Sequence, residues 1–241
     1  MKKVIRKLII FILVIGIILV CGFTTLGYIN YKQAIKDLSI EDAFYNIENY
    51  DSFIEYEQLS ESYIDSVIAI EDKRFFTRYG VDYISILNAF ITGVMEGKFD
   101  QGGSTITQQL SKNIYFDFDR SLIRKFSEVF MTYKIENEYN KKDIFEKYVN
   151  IIYFGDGYYG INDASKGYFK KSPNELNLAE ASLLAGLPQS PSNYQLSTGY
   201  DLAIKRQKQV LNALLRQEYI NEKEYYEALE YQFKDFYIFE K

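Results

Sequence analysis

Glu71 stands at the end of an apolar, helix-like segment, in IAIEDKRFF, with Asp72 beside it. Thirty residues on, Gln101–Asn113 reads QGGSTITQQLSKN, a run of amides and hydroxyls around two adjacent glycines. Neither stretch is patterned for packing alone. A carboxylate within hydrogen-bond reach of a hydroxyl can act as a general base. Gly102 and Gly103 permit close backbone approach or a positive φ. Ser104, Thr105 and Thr107 offer hydroxyls, and Gln101, Gln108 and Gln109 offer amides. Such a set suits a sugar or phosphate ligand. It also suits an ordinary capped turn leading into a helix over Thr105–Lys112, just as Glu71 alone would suit a solvated helix terminus.

Composition narrows the chemistry. The chain has 241 residues, no His and no Trp. Histidine-dependent triads and histidine metal sites are excluded, so catalysis must rest on carboxylates, amides, Lys, Arg and Tyr. The net charge is −5. Of 28 Lys and Arg, four lie in Met1–Lys7; the remaining 24 face 33 Asp and Glu, a net of −9. That balance argues against general nucleic-acid binding. Cys21 is the only cysteine, which rules out an intramolecular disulfide.

The elements that must hold these residues read as helices. Ile64, Val67, Ile68 and Ile70 fall on or near one face of a helix that ends at Glu71. Further helices are predicted over Asp82–Met95, Arg120–Glu138, Lys142–Tyr153, Ala203–Glu218 and Asn221–Tyr231. Asn177 and Glu180 fit an N-cap and N3 pair for another, with Gly186 and Pro188 as its stop. All three prolines lie between residues 173 and 191, and no alternating strand pattern or repeat is found. The expected fold is mainly α.

Ahead of these helices, Leu8–Ile29 carries no charge over 22 residues. As a helix it would be about 33 Å long, enough for a bilayer core. Lys2, Lys3, Arg6 and Lys7 precede it. The positive-inside rule leaves the N-terminus in the cytoplasm and the rest outside. The run is longer than a usual signal-peptide core and no clear cleavage site follows, which favours an uncleaved anchor. The predicted organisation is a basic tail (residues 1–7), a transmembrane anchor (8–29), a connecting membrane-proximal segment (30–59) and a helical domain (60–241).

At this point the motifs resemble a known family, the peptidoglycan glycosyltransferases of glycosyltransferase family 51. These are monofunctional enzymes and the matching domain of class A penicillin-binding proteins. The resemblance covers roughly Ser60–Tyr231. Its blocks are Glu71-Asp72-x-x-Phe75-x-x-x-x-Gly80, then Gly102–Gln109 with Lys112 and Asn113. Arg124-Lys125-x-x-Glu128 follows, and then Lys142-x-Ile144-x-Glu146-x-Tyr148-x-Asn150 with Tyr153-Phe154-Gly155. Ala164-x-x-x-Tyr168-Phe169 and Glu180–Pro188 agree too. Two positions depart from the pattern: Arg78 stands where the family usually has His, and Lys170 where it usually has Gly. The first is expected to alter hydrogen bonding or the pH profile near the site, the second a turn.

The resemblance implies a lysozyme-like, two-lobed helical domain behind one transmembrane helix. It implies polymerisation of lipid II into β-1,4-linked glycan strands, by inverting transfer from a polyprenyl pyrophosphate donor. It makes Glu71 the base and Glu128 the second carboxylate, orienting basic residues and sugars, assisting a metal-bound pyrophosphate, or serving as a buried partner of Arg124 or Lys125. Lys112 and Arg120 become the leading pyrophosphate contacts, joined by Arg124 and Lys125; the bland alternative is a basic surface helix paired with Asp117, Asp119 and Glu128. Gly103, Ser104, Thr105, Gln108 and Gln109 are implied to line the donor site. Phe75 would pack and position Glu71, and Asp72 would orient the loop or help bind a divalent ion. Mg²⁺ or Mn²⁺ is expected to assist the pyrophosphate.

The implied partners are lipid II, the growing strand and the bilayer, with penicillin-binding transpeptidases and division or elongation proteins beside them. Because the sequence ends at Lys241, cross-linking is expected from another protein. The apolar Ile84–Met95 either dips into the bilayer, through residues such as Phe90 and Val94, or packs in the core. Two rival functions stay open: a lysozyme-like enzyme that cleaves glycan, and a catalytically silent scaffold for wall synthesis.

Overall fold

In the computed structural model, residues 2–88, 103–116 and 121–233 are described. Ten helices of eight residues or more occur among them. They are α1 (Lys2–Asp37), α2 (Ile40–Glu48), α3 (Glu61–Glu71), α4 (Ile106–Tyr115), α5 (Leu122–Glu138), α6 (Lys141–Ile151), α7 (Ile161–Phe169), α8 (Leu178–Gly186), α9 (Leu196–Arg216) and α10 (Glu222–Glu230). Among the described residues the only β pairing is an isolated bridge between Tyr153 and Tyr159. The mainly α expectation holds.

The helices begin where side chains can cap them. Ser60, Thr105, Ser121, Asn140, Asn177 and Asn221 each accept a backbone N–H at the start of their helix. The expected Asn177–Glu180 pair is a reciprocal capping box. Thr105 and Gln108 form another, at 3.1 and 2.9 Å. Lys170, at the end of α7, sits in the left-handed region with φ +57°. That conformation explains why a glycine would be at ease there.

Two groups of helices pack around one continuous core. In one, α3 lies between α8 and α9; in the other, α4 packs on α5 and α6. The cleft between the groups is where the site sits. This two-part helical arrangement is the lobed fold expected from sequence.

The stretch read as a connector is folded. Helix α2 buries Ile40, Ala43, Phe44 and Ile47 and packs on α6, with the rings of Phe44 and Tyr139 4.4 Å apart. Asn150 of α6 then clasps the chain after it, its Oδ1 accepting from Ile54 N at 2.9 Å and its Nδ2 donating to Ile54 O at 2.8 Å. Glu146 accepts from Tyr56 N at 2.8 Å. The polar positions of the Lys142–Asn150 motif therefore tie residues 54–56 to the domain. Periodicity did not announce this because α2 is short and its hold is side chain to backbone.

Helix α1 is apolar and fully exposed over its candidate membrane-crossing window. It runs without a break past that window and docks on α5. Phe23 stacks on Phe126 at 6.4 Å, and Phe130 meets Tyr28 and Tyr31 at 5.3 and 5.9 Å. Gly27 allows the approach, since a Cβ there would stand 2.5 Å from Phe126 Cβ. Residues 83–88 are helical, with Ile84 and Leu87 more than half exposed. The remainder of Ile84–Met95, including Phe90 and Val94, lies outside the described residues.

Candidate active site

Helix α3 ends at Glu71 and points its carboxylate into a cavity of about 960 Å³ between the two helical groups. Ser104, Gln108, Gln109 and Lys112 line one wall from α4 and the turn before it, with Arg124, Lys125 and Glu128 from α5. Arg206, Gln209, Asn212 and Arg216 line the other from α9.

Glu71 is held on both oxygens. Gln109 Nε2 donates to Oε2 at 2.7 Å, and Arg206 Nη2 approaches Oε1 at 3.4 Å. The Gln109 amide has a fixed sense because Tyr148 Oη donates to its Oε1 at 3.3 Å. Tyr148 is fully buried; desolvation, with Glu71 close by, raises its pKa well above the ordinary phenol value. It therefore stays a hydrogen-bond donor throughout the physiological range.

Glu128 sits in a different setting. Its side chain is 1% exposed. Arg124 Nη1 donates to Oε1 and Lys125 Nζ to Oε2, both at 2.7 Å. Lys125 Nζ also donates to Ser104 Oγ at 3.0 Å, so the serine turn is fastened to α5. Charge-assisted bonds of this length fix the direction of both cations. Lys112 completes the basic wall. Burial pushes its pKa down; Glu128 opposes this, while Lys125 and Arg124 add to it. An arriving phosphate would favour its charged form.

The polar loop resolves into two jobs. Thr105 is buried and spends its hydroxyl on the α4 cap. Gln108 caps with its Oε1 yet still borders the cavity. Gly103 precedes Ser104 without lining the cavity. Arg120 lies outside the described residues. Asp72 and Phe75 do not line the cavity either; both are buried, Asp72 directly after Glu71 and Phe75 against Phe145. Asp72 Oδ2 accepts the α4 backbone N–H of Ile106 at 3.1 Å.

Sequence patterning missed the α9 wall. Arg206, Gln209, Asn212 and Arg216 recur on one helical face, opposite the buried Val210, Leu211 and Leu214. Such a stripe reads as a solvated surface until a second lobe faces it. Gly186 gives Arg206 its room, since a Cβ there would stand 2.9 Å from Arg206 Cγ.

Among the described residues the expected divalent ion has no ready cage. Among the described residues no three His, Cys, Asp or Glu gather in one place. Glu71 and Glu128 are each already engaged by basic side chains. Among the described residues the donor set does not fit a protein-held Mg²⁺ or Mn²⁺.

The chain is similar to several known proteins. The penicillin-binding protein 1A of Aquifex aeolicus is 37% identical over 196 residues, covering 77% of this chain and 27% of that protein. The penicillin-binding protein 1A of Neisseria flavescens is 46% identical over 153 residues, covering 64% and 19%. The chain thus spans about a quarter or less of these relatives. The solved penicillin-binding protein 1A of Haemophilus influenzae aligns at 36% identity and a TM-score of 0.37 over 41% of this chain and 15% of that one. The family model for transglycosylases matches residues 39–215, which takes in α2, both carboxylates that line the cavity, Glu71 and Glu128, and most of the α9 wall. On that match, the chain belongs to the transglycosylase family.

Proposed function

We propose that this chain is a peptidoglycan glycosyltransferase that polymerises lipid II. The single observation that carries this is one cavity holding an oriented carboxylate, Glu71, across from Lys112, Arg124 and Lys125. A sugar hydroxyl needs a base as it attacks. Glu71 accepts the proton of the acceptor 4-hydroxyl as its oxygen bonds to the donor anomeric carbon. The bond from that carbon to the pyrophosphate oxygen breaks on the opposite face, inverting configuration. The electron pair leaves with the pyrophosphate, whose growing charge meets the basic wall. Glu128 keeps two of those cations aimed.

The same wall favours transfer over a lysozyme-like cleavage. Hydrolysis of a glycosidic bond produces no pyrophosphate, so it has no use for three converging cations. Where a divalent ion assists, we infer that it arrives on the pyrophosphate rather than in a protein site. By resemblance to the family, Arg120 is a further candidate pyrophosphate contact.

Helix α1 anchors the domain as a single span, with the N-terminus cytoplasmic and the cavity outside the membrane. Lipid II and the growing strand are the substrates; penicillin-binding transpeptidases and division or elongation proteins are the proposed neighbours.

The test is incubation of the reconstituted chain with labelled lipid II, alongside Glu71→Gln. Lysozyme-sensitive polymer from the unaltered chain alone is the expected result. Soluble fragments released from purified wall would favour cleavage. No polymer from a folded, membrane-inserted chain would favour the silent scaffold.

A further inference from the structure

Behind Glu71, away from the cavity, lies a knot of four buried or half-buried charges that the chemistry above does not use. Arg78 Nε donates to Asp72 Oδ1 at 3.1 Å, and its Nη2 pairs with Asp72 Oδ2. Its Nη1 reaches Glu136 Oε1 at 3.1 Å and also contacts the Gly80 carbonyl. Glu136 further accepts from Thr107 Oγ1 at 2.6 Å and Gly80 N at 2.5 Å, and pairs with Lys141 Nζ at 2.7 Å. Two acids and two bases balance. The ring of Phe75 closes the knot, with Lys141 Nζ 4.7 Å from its centroid.

The knot joins the parts of the site. Asp72 follows Glu71 and accepts the first N–H of α4, the helix of Gln109 and Lys112. Thr107 belongs to α4, Glu136 to α5 with Glu128, and Lys141 to α6 with Tyr148. None of Asp72, Arg78, Glu136 and Lys141 borders the cavity. The family that this chain resembles usually has His at the Arg78 position.

We propose that Arg78 is a positioning residue, whose guanidinium clamps Asp72 to Glu136 and so fixes the Glu71 turn against α4 and α5 independently of pH. An arginine keeps its charge under all physiological conditions. Here burial works against that charge, but Asp72 and Glu136 outweigh it and raise the pKa further. A histidine in the same place would hold the clamp only while doubly protonated. The groups facing it would be Asp72 from its own turn, Glu136 from α5 and Lys141 from α6, with Arg74 and Asp82 paired nearby at 2.6 Å. The two acids would raise the folded-state pKa of a doubly protonated imidazole above its ordinary value. Stability from the clamp would then be complete below the unfolded pKa and lost as pH rises through the folded one.

This inference rests on the polymerase reading for its activity arm, so a second arm does not. The full chain is reconstituted as Arg78→His and Arg78→Gln, and polymerisation of lipid II is followed from about pH 6 to pH 9, across the histidine range. Arg78→His is expected to approach the parent rate at the acid end and fall at least about tenfold towards the alkaline end. The parent should show no fall of that size, and KM should barely move. Arg78→Gln should be slow throughout. Arg78→His following the parent profile, or Arg78→Gln at full kcat, would overturn the proposal. Amide hydrogen exchange in peptides containing Gly80 and Ile106 supplies the independent readout. In Arg78→His it should exceed the parent only at the alkaline end, and equal exchange at both ends would also overturn the clamp. A parent chain that makes no polymer would sink the functional reading and leave the exchange result standing.

Discussion

The cavity holds two carboxylates built in contrasting ways. Glu128 is sealed, with both oxygens committed at 2.7 Å to cations on its own helix. Glu71 keeps 14% of its side chain exposed, one oxygen on a neutral amide and the other at a loose 3.4 Å from Arg206. A group that must take a proton from a substrate needs an open face and a partner that yields. A group that must aim other charges needs neither. The local helix geometry makes the division possible. Glu128 reaches residues three and four positions earlier, whereas Glu71, at a helix end, reaches partners 38 and 135 residues away.

Substitutions can break that contrast. Glu71→Gln should reduce kcat by about 10²–10⁴-fold, the usual range for a lost general base. Its unfolding free energy should shift by less than about 1 kcal/mol, because the ion contact is long and partly open. Equal losses of activity and stability, by lipid II turnover and denaturant titration, would erase the distinction. Glu128→Gln should behave the other way, with destabilisation of about 2–3 kcal/mol; a wholly buried pair would lose more, but Lys125 is 44% exposed. Its rate loss should appear with weakened binding, measured as a raised KM.

The basic wall sharpens the same comparison through pH. Lys112 has its pKa lowered, first by burial. A lysine loses charge as pH rises through its pKa, so substrate binding should weaken on the alkaline side, earlier than an ordinary lysine would allow. Lys112→Arg should carry that limb to higher pH. An unmoved limb in the KM–pH profile would assign it to another group. The smallest expected effect lies outside the cavity. Lys170→Gly should stabilise the chain by about 1 kcal/mol by relieving the left-handed backbone at φ +57°, with no change in turnover. Thermal unfolding would check it.

Much of this architecture is legible in the sequence because it is local. The Asn177–Glu180 box, the helix ending at Glu71 and the Arg124-Lys125-x-x-Glu128 spacing all act within one turn or two. Thr105 shows where local signals become ambiguous: a hydroxyl that suits a ligand also suits a cap, and here it caps. What stayed hidden is long-range. Arg78 and Glu136 are 58 residues apart, and nothing in a helical charge pattern marks Glu136 as the buried end of an ion pair. The α9 stripe gains meaning only from the opposite wall. Arg78 itself reads in sequence as a departure expected to alter hydrogen bonding near the site; in the fold it bonds to Asp72, Glu136 and Gly80 behind Glu71.

The close approach at Gly27 has a further consequence for how substrate arrives. Gly27 lies inside the uncharged run Leu8–Ile29, yet its carbonyl accepts from Ser127 Oγ at 3.1 Å, next to Glu128. In the proposed orientation, the helix bearing Arg124 and Lys125 therefore touches the anchor at the depth of the outer leaflet. A polyprenyl tail can stay dissolved in the bilayer while its head meets those cations. In that reading, a glycine sets how closely the cation-bearing helix approaches the anchor.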